Sequence, residues 1–373
     1  MRPVAVSSPG DGRRPETPTL EPESFFSPDY AAARARFLAA ARAAGATLES
    51  LPLPATGPGG EKLSIDVARL GSPEATRVLL HTSGLHGVEG FAGSAVQLAA
   101  LERAPAVPAG GAVVLAHVLN PYGMIWLRRA NENNVDLNRN FLAAGERWEG
   151  APVLYSRLDP LLNPPTPPAP DRFRWRLTVA ALRHGPRALK QAIAEGQYEF
   201  PRGLFFGGRM LEAGPRLYLD FLRRSLARAE YLLAIDLHTG LGPRAGETLI
   251  LEAGAGVTPV AELGRGLGGG LVDPAAGRAL YRIRGGMGDA LRATLPRARS
   301  DFLLQEIGTC PARAVLAALR EENRCHHHGG RLTDPAKQAL LEVFRPSSPK
   351  WRRQAVEKGS RLLQAAAAWT FSR

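Results

Sequence analysis

The sequence predicts an α/β fold in which a mixed, largely parallel sheet is covered by helices on both faces. Short apolar runs, each ending in polar residues, recur along the chain at residues 77–83, 112–120, 231–240 and 303–309. They alternate with longer Ala- and Leu-rich stretches that have the composition of helices. Runs that are apolar throughout are typical of strands buried on both faces, which helices must then cover.

The beginning of the chain predicts an arm followed by one folded domain. Residues 1–24 are rich in Pro, Ser and Gly, a composition typical of a flexible terminal segment. The first helix is predicted over residues 30–44, with Asp29 able to cap its first turn and Gly45 able to end it. We expect the remaining chain, residues 25–373, to form a single folded domain.

Residues 142–230 are the least regular part of that domain. They contain a proline-rich segment at 158–172, an aromatic and glycine-rich string at 196–208, and helices predicted at about 173–195 and 215–228. We interpret this stretch as an elaboration packed beside the sheet. Further covering helices are expected at about 333–344 and 351–369.

The charge of the chain does not indicate a nucleic-acid partner. Lys and Arg number 47 against 35 Asp and Glu, which gives a formal net charge of +12. The basic residues are nearly all Arg and are spread along the chain, without a dense basic tract interleaved with aromatic residues. We therefore predict a basic surface that attracts anionic substrates.

The cysteine content and the hydropathy pattern predict a cytoplasmic protein with no membrane partner. Cys310 and Cys325 are the only cysteines, too few for a disulfide framework or a thiolate zinc site. The first residues lack the continuous apolar stretch of a signal peptide, and no later run has the length needed to cross a bilayer.

Three short strings, far apart in the sequence, contain the residues that a catalytic zinc site needs. HGVEG contains His86 and Glu89, DLHTG contains His238, and QEIGT contains Glu306. Catalytic zinc sites typically use three protein ligands and leave the fourth position to water. His86, Glu89 and His238 are the predicted ligands of one Zn²⁺ ion, and Glu306 is the predicted general base.

Each string by itself also has an ordinary structural interpretation. His86 and Glu89 could belong to a helix N-terminus, His238 could be a core residue beside Asp236, and Glu306 could pair with an arginine. Their shared position favours the metal site, because each string lies at or just past the carboxyl end of a predicted strand, where ligands bind in open α/β sheets. Asp236, two residues before His238, is then expected to orient its imidazole.

Together with NNVDLNRNF at residues 133–141, these strings resemble the motifs of the zinc carboxypeptidase superfamily, and the chain looks most like a little-characterised bacterial branch of it. HGVEG resembles the HxxE ligand motif, DLHTG the third-ligand motif and QEIGT the catalytic Glu motif. RANENNVDLNRNF resembles the substrate-binding motif, with its Arg and its Asn-Arg pair. The order and rough spacing agree over about residues 79–309, and DLNRNF is the most specific piece.

The resemblance implies roles for residues that spacing alone does not assign. Arg129 would stabilise the developing oxyanion, with the adjacent Arg128 as the alternative. Asn138 and Arg139 would bind a substrate carboxylate, the arginine through its planar fork of donors. Asp136 would orient the first histidine ligand, and the catalytic glutamate would act first as a base and then as an acid.

The predicted activity is hydrolysis of an amide bond next to a carboxylate-bearing residue, with a peptide as substrate. The first alternative is a zinc-dependent deacylase of N-acyl amino acids, since related enzymes reuse the same ligands and Asn-Arg pair. A more remote alternative is a catalytically silent peptide-binding protein. The chain departs from the family in its longer stretch between DLNRNF and DLHTG, and Tyr281 or Tyr198 is the candidate for the aromatic residue that caps the substrate carboxylate.

Overall fold

The computed structural model describes residues 21–103, 105–252, 258–272 and 282–373. Within these ranges the chain forms eight strands: β1 (Thr47–Thr56), β2 (Lys62–Gly71), β3 (Arg77–Ser83), β4 (Gly111–His117), β5 (Tyr231–Leu241), β6 (Glu247–Leu251), β7 (Leu271–Val272) and β8 (Arg299–Cys310). They join in one sheet in the order β1-β2-β4-β3-β5-β8-β6-β7.

The middle of the sheet is parallel and its margins are partly antiparallel. Strand β3 pairs parallel with β4 and β5, and β5 pairs parallel with β8. Strand β2 pairs antiparallel with β1 and β4, β6 pairs antiparallel with β8, and β6 pairs parallel with β7. The predicted mixed, largely parallel α/β sheet is therefore confirmed.

Helices surround this sheet. They are α1 (Tyr30–Ala43), α2 (Gly90–Arg103), α3 (Pro121–Ile125), α4 (Val153–Leu162), α5 (Phe173–His184), α6 (Pro186–Ala194), α7 (Ala213–Ser225), α8 (Val260–Gly266), α9 (Met287–Thr294), α10 (Ala312–His327), α11 (Pro335–Phe344) and α12 (Pro349–Phe371). Short 3₁₀ helices lie at Pro22–Phe25, Gly87–Glu89 and Leu137–Arg139. No helix in the described ranges is long and apolar enough to cross a membrane.

Two hydrophobic cores lie on opposite faces of the sheet. Helices α1, α2 and α12 pack on one face, and α7 and α9 pack on the other. Along β3 the side chains alternate, so that Leu79 enters the first core while Val78 and Leu80 enter the second. Because both faces are buried, residues 78–80, 112–116 and 232–235 in the central strands are apolar throughout, as the sequence pattern indicated.

The stretch 142–230 contributes a third, smaller cluster of buried residues. Helices α4, α5 and α6 pack around Tyr155, Leu162 and Phe173. Helix α7 instead adds Tyr218 and Phe221 to the second core of the sheet. This stretch therefore packs on the sheet through α7, whereas α4, α5 and α6 form the separate third cluster.

One helix prediction in this stretch was wrong. The single helix expected over residues 173–195 is two helices, α5 and α6, which meet at Gly185. Gly185 has φ +82, and Pro186 follows it as the first residue of α6. Proline disfavours helical geometry in the residue before it, and glycine accepts the positive φ that the break requires.

The helices near the two ends of the chain follow the sequence predictions. Helix α1 is confirmed, and the Asp29 side chain accepts a hydrogen bond of 2.8 Å from the Ala32 amide at its first turn. Helices α11 and α12 are confirmed as well. Most of the predicted flexible arm, residues 1–20, lies outside the described residues, and Pro22–Phe25 form a 3₁₀ helix whose Phe25 is buried.

The contact between α12 and α2 predicts a stability difference between two glycine substitutions. A Cβ at Gly359 in α12 would lie 2.4 Å from Cγ2 of Val96 in α2, whereas a Cβ at Gly264 in α8 would lie 3.6 Å from Leu271. We expect Gly359→Ala to lower the free energy of unfolding by about 1–3 kcal/mol through overpacking. We expect Gly264→Ala to be neutral or stabilising by up to ~1 kcal/mol, because alanine is the better helix former.

The measurement is urea denaturation of the two variants beside the parent protein. Equal midpoints for both variants, or a less stable Gly264→Ala, would contradict this account of the α2–α12 contact.

Candidate active site

The carboxyl ends of three parallel strands bring the predicted site residues to one edge of the sheet. His86 lies three residues past the end of β3, His238 lies near the end of β5, and Glu306 lies near the end of β8. In the β5–β8 register, His238 is directly opposite Glu306. The side chains of paired residues on neighbouring strands project to the same face, so this register alone sets Glu306 beside His238.

The turn after β3 is built so that His86 and Glu89 project together. His86 is extended, and Gly87–Glu89 follow as a single 3₁₀ turn that leads into α2. The amide of Val88 donates to the Arg128 carbonyl at 2.8 Å, which ties the turn to the segment after α3. Gly87 permits this approach, since a Cβ there would lie 2.2 Å from Cα of Gly123.

His86, Glu89 and His238 converge in the interior of the protein. Their exposed fractions are 3%, 1% and 5%, respectively. Nδ1 of His86 lies 3.0 Å from Oε1 of Glu89 and 3.1 Å from Nδ1 of His238. Nδ1 of His238 lies 3.4 Å from Oε2 of Glu89, so one candidate ligand atom of each residue borders the same small volume.

Each histidine turns its other ring nitrogen to an aspartate. Nε2 of His86 lies 3.1 Å from Oδ1 of Asp136, and Nε2 of His238 lies 2.6 Å from Oδ2 of Asp236. Asp236 is itself fixed by a 2.6 Å hydrogen bond from the Thr82 hydroxyl on β3. A carboxylate behind each imidazole favours the tautomer with its proton on Nε2 and its Nδ1 lone pair directed at the shared volume.

The buried charges of the site shift one another's pKa values. Burial opposes ionisation of Glu89, but the positive charge of His86 and bonds from both histidines hold its pKa well below the ordinary value. Burial also opposes protonation of His238, yet the charge and hydrogen bond of Asp236, with help from Glu89, raise its pKa well above the ordinary value. The cluster therefore stabilises positive charge at its centre.

Glu306 is the remaining carboxylate of the site. Burial and then the negative charge of Glu89 raise the pKa of Glu306 to about 7. Its Oε1 accepts a 2.7 Å hydrogen bond from the Leu241 amide at the end of β5, which fixes its position next to His238. A carboxyl group with a pKa near neutrality can both accept and return a proton, which general acid–base catalysis requires.

The structure separates the two adjacent arginines that spacing could not. Arg128 is 1% exposed and points away from the cluster, where it donates to Glu322 at 2.9 Å and to Asn134 at 2.7 Å. Arg129 reaches the site, donating to Glu89 at 2.9 Å and to Asp136 at 3.0 Å. Arg129 is therefore the arginine that faces the candidate site.

Arg129 also lies close to the ring nitrogen that faces Asp136. Its NH2 is 2.7 Å from Nε2 of His86. A guanidinium only donates, so this contact and the His86–Asp136 hydrogen bond require different tautomers of the ring. A cation bound at Nδ1 of His86 would select the tautomer that donates its Nε2 proton to Asp136. The NH2 group of Arg129 would then turn away from His86.

The Asn-Arg pair lies next to the cluster, and its arginine is engaged by the elaboration. The guanidinium of Arg139 donates to the Ala194 carbonyl through Nε at 3.0 Å and to the Asn138 carbonyl at 2.8 Å. It is 1% exposed, and Gly196 packs against its aliphatic part. The substrate role of this pair stays a prediction; the structure places both residues one short turn after Asp136.

The two tyrosine candidates for the substrate-capping aromatic residue have different outcomes. Tyr198 is 4% exposed and donates its hydroxyl to the Arg139 carbonyl at 2.7 Å, so it supports the turn that carries the Asn-Arg pair. Tyr281 lies outside the residues that the structure describes. The capping role stays unassigned among the described residues.

Phe205 is a site residue that the sequence did not indicate. Its ring centre lies 5.6 Å from Cζ of Arg129, the predicted oxyanion-stabilising arginine, and 5.8 Å from Cζ of Arg139, the predicted carboxylate-binding arginine. With Arg129 and Asp136 it lines a small cavity beside the cluster. Its φ of +56 is uncommon for a bulky residue and is held by the hydrogen bond from the Gln197 amide to its carbonyl. The only signal in the sequence is the Phe-Phe-Gly-Gly string.

The donor set fits a zinc ion. Donors at about 2.0–2.2 Å from zinc in a tetrahedral arrangement lie about 3.3–3.6 Å from one another. The three contacts among His86, Glu89 and His238 are 3.0, 3.1 and 3.4 Å. Two imidazoles and one carboxylate, each imidazole supported by a further carboxylate, match the His₂Glu ligand set of catalytic zinc sites.

Solved structures share the overall fold. Bovine thrombin-activatable fibrinolysis inhibitor, solved in complex with a tick carboxypeptidase inhibitor, has a TM-score of 0.52 at 11% identity, covering 94% of this chain and 99% of that one. A further structure of thrombin-activatable fibrinolysis inhibitor has a TM-score of 0.50 at 12% identity, covering 92% and 74%. Carboxypeptidase A from Helicoverpa armigera has a TM-score of 0.49 at 15% identity, covering 95% and 77%.

At these identities the comparisons show the fold alone, and the carboxypeptidase-like α/β fold that the motifs predicted is confirmed. No curated protein sequence matches the chain. One family model does match, and its description is "Protein of unknown function (DUF2817)". The match spans residues 26–358, which is most of the chain, and the chain therefore belongs to the DUF2817 family.

Proposed function

We propose that this protein is a zinc-dependent hydrolase that cleaves an amide bond next to a carboxylate-bearing residue, as a carboxypeptidase does. The observation that carries the proposal is the convergence of one atom each from His86, Glu89 and His238, with Glu306 paired to His238 across the β5–β8 ladder. These are the ligand set and the base that metal-assisted amide hydrolysis needs.

Each residue of the site has a part in the proposed reaction. Zinc bound to His86, Glu89 and His238 would polarise the scissile carbonyl and lower the pKa of a water molecule toward ~7. Glu306 takes a proton from the attacking water and returns it to the leaving amine. Arg129 donates hydrogen bonds to the oxyanion that develops on the carbonyl oxygen.

The substrate carboxylate is assigned to the Asn-Arg pair. Arg139 has five N–H donors, and its hydrogen bonds to the Ala194 and Asn138 carbonyls hold the guanidinium in place while further donors remain for a carboxylate. Its buried position makes an ion pair with the substrate stronger than it would be in water. Asn138, on the same short turn, would supply a second donor.

One observation favours the deacylase alternative. The ring of Phe205 lies against both Arg129 and Arg139, and the Ala194 carbonyl and Gly196 contact the Arg139 side chain. A cleft narrowed in this way suits a small N-acyl amino acid better than an extended peptide. Both reactions use the same zinc ligands, the same base and the same carboxylate-binding pair.

Mass spectrometry of reaction products separates the two activities. The zinc-loaded protein is incubated, with and without a chelator, with peptides that have free or amidated C-termini and with N-acyl amino acids. We expect chelator-sensitive release of single residues from free C-termini only. Acyl release from the small amides with all peptides intact would establish the deacylase, and turnover of none of them would favour a binding protein.

The ligand assignment predicts that substitution of Glu89 and substitution of Asp136 lower the zinc affinity to different extents. Glu89→Ala removes a ligand atom and should abolish stoichiometric zinc binding. Asp136→Asn keeps all three ligands but removes the negative charge behind His86, so its zinc affinity should fall by about 10–100-fold. Competition with a chromophoric chelator measures both affinities, and full zinc occupancy in Glu89→Ala would remove Glu89 from the ligand set.

The role of Glu306 predicts a variant that binds zinc but does not turn over. Glu306→Gln keeps the size of the side chain and loses the ability to accept a proton, so kcat should fall by at least ~10²-fold. Zinc content, measured on the same sample, should equal that of the parent protein. A variant with nearly full kcat would show that another group serves as the base.

Arg129 faces the site and Arg128 does not, so we expect the loss of Arg129 to act mainly on kcat and the loss of Arg128 mainly on stability. Arg129→Ala should lower kcat by about 10²-fold through loss of an oxyanion donor. It should destabilise the zinc-loaded protein less than Arg128→Ala does, because Glu89 keeps zinc and Asp136 keeps His86 as a partner. Arg128→Ala leaves Glu322 buried beside Lys337 with one partner fewer, so it should lower the free energy of unfolding by about 3–5 kcal/mol. Steady-state kinetics and thermal unfolding of both variants test this. A large loss of kcat in Arg128→Ala together with a large loss of stability in Arg129→Ala would exchange the roles of the two arginines.

A further inference from the structure

Helix α5 presents a stripe of exposed apolar side chains. In this helix Trp175, Val179 and Leu182 are 65%, 41% and 82% exposed, respectively. Their spacing of four and then three residues puts them within about 60° of one another around the helix axis. They are three of the five large apolar side chains that are exposed in the described ranges. Single exposed apolar side chains are common, but three on one stripe of one helix indicate a binding surface.

The stripe is not the face by which α5 is held in the fold. Phe173 and Ala180 are buried in the third hydrophobic cluster, and their helical positions lie on the far side of α5 from the stripe. The guanidinium of Arg320 on α10 packs over the Phe173 ring at 4.5 Å. Helix α5 is therefore apolar on two opposite faces, and the described residues bury only one of them.

Basic side chains flank the stripe on both sides. The helical positions of Arg176 and Arg183 lie about 80–100° to one side of Trp175, and Arg174 lies about 100° to the other. All three arginines are exposed, and none forms an ion pair with a residue in the described ranges. The carboxylate that precedes them, Asp171, is instead 2.6 Å from the guanidinium of Arg320. The positive charges beside the stripe are therefore available to an external anion.

The positive charge continues into α6. Residues 172–194 contain five arginines, one lysine and no Asp or Glu. Arg187 and Lys190 are the exposed basic residues of α6. At residues 172–176 basic and aromatic residues alternate, which is an exception to the even spread of charge along the chain. Helices α5 and α6 together form a strongly positive surface that attracts anions over a distance.

We propose that this surface binds an anionic phospholipid membrane. Trp175, Val179 and Leu182 enter the boundary between headgroups and acyl chains, while the flanking arginines bind the lipid phosphates. A helix with an apolar stripe between basic residues lies in the plane of such an interface. Arginine can keep its aliphatic stem in the apolar layer while its guanidinium reaches the phosphates, and tryptophan is enriched at this depth.

Other occupants fit the surface less well. A second copy of the chain would bring two positive surfaces together. A nucleic acid would pair with the charge but would leave Val179 and Leu182 without an apolar partner, and the buried ring of Phe173 cannot stack on a base. A folded protein would need a groove shaped to a convex helix, whereas a lipid surface deforms around it.

This surface differs from the membrane segments that the sequence analysis excluded. A spanning helix needs about 20 consecutive apolar residues, whereas a helix in the interface needs only one apolar stripe. Helix α5 has 12 residues and is apolar on its exposed side only along that stripe. The expectation of no membrane partner came from the lack of a spanning segment and does not bear on α5.

Membrane binding through α5 would bring the candidate active site close to the lipid surface. Helix α6 begins after Gly185 and ends at Ala194. The Ala194 carbonyl accepts a 3.0 Å hydrogen bond from Nε of Arg139. One helix of about 14 Å therefore joins the proposed membrane contact to the Asn-Arg pair.

The test is sedimentation of the full chain with lipid vesicles. One set of vesicles contains phosphatidylglycerol and phosphatidylcholine in equal parts, and the other contains phosphatidylcholine alone. Trp175→Gln/Leu182→Gln removes the apolar stripe. The flanking charges are removed by Arg174→Gln/Arg176→Gln/Arg183→Gln. The control variant loses the same charge from exposed positions on α1, on α7 and before β8, by Arg42→Gln/Arg216→Gln/Arg297→Gln.

We expect the parent protein and the control variant to bind the anionic vesicles and not the neutral ones, with an affinity that falls as salt is added. Loss of the three flanking arginines should lower the affinity by about 10²-fold, because each basic residue at an anionic surface contributes about fivefold. Loss of Trp175 and Leu182 should lower it by at least ~10-fold. Circular dichroism checks that every variant is folded.

Three results would overturn the proposal. They are a parent protein that does not bind the anionic vesicles, equal losses of affinity in the flanking and control variants, and unchanged affinity in Trp175→Gln/Leu182→Gln. Salt-sensitive binding of duplex DNA by a parent protein that ignores vesicles would instead assign the surface to nucleic acid. None of these measurements uses turnover, so failure of the proposed hydrolase activity would leave their outcome unchanged.

Discussion

Two imidazole nitrogens, Nδ1 of His86 and Nδ1 of His238, lie 3.1 Å apart in the protein interior, and each ring turns its Nε2 to an aspartate. With both rings in the tautomer that these aspartates favour, two lone pairs face each other beside the carboxylate of Glu89. Such an arrangement is unfavourable unless positive charge lies between the lone pairs. A proton supplies that charge in part, and a divalent ion with three ligands supplies it fully. The rest of the site is arranged around this requirement.

The sheet provides the geometry that the cluster needs. The parallel β5–β8 register sets Glu306 opposite His238, and the hydrogen bond from Thr82 on β3 holds Asp236 behind that histidine. The His86 turn is fixed from outside the sheet, by hydrogen bonds from its amides to the carbonyls of residues 128 and 129. The same hydrogen bonds orient Arg129 toward the site, while Arg128 enters a separate buried network. The arginine that we propose to stabilise the oxyanion and the arginine of the buried network are therefore adjacent in the chain.

The parts of the fold and site that were predictable from sequence are those determined by local pattern. Apolar runs ending in polar residues predicted parallel strands, and the carboxyl ends of such strands share an edge, so the convergence of His86, His238 and Glu306 follows from the sequence pattern alone. The Gly-Pro pair at residues 185–186 also indicates a helix break, but the helical composition on both sides of it favoured one continuous helix. Arg128 and Arg129 could not be separated, because the direction of adjacent side chains in an irregular segment depends on tertiary contacts. Phe205 reaches the site only through the folding of the elaboration, which no short motif encodes.

The central claim is that His86, Glu89 and His238 together bind one zinc ion through the two Nδ1 atoms and the carboxylate. The most direct measurement is anomalous diffraction at the zinc edge from crystals of the zinc-loaded protein. The account predicts one strong peak within about 2.0–2.2 Å of Nδ1 of His86, Nδ1 of His238 and an oxygen of Glu89. A stoichiometric zinc peak elsewhere in the molecule, with these three side chains in contact only with one another, would contradict it.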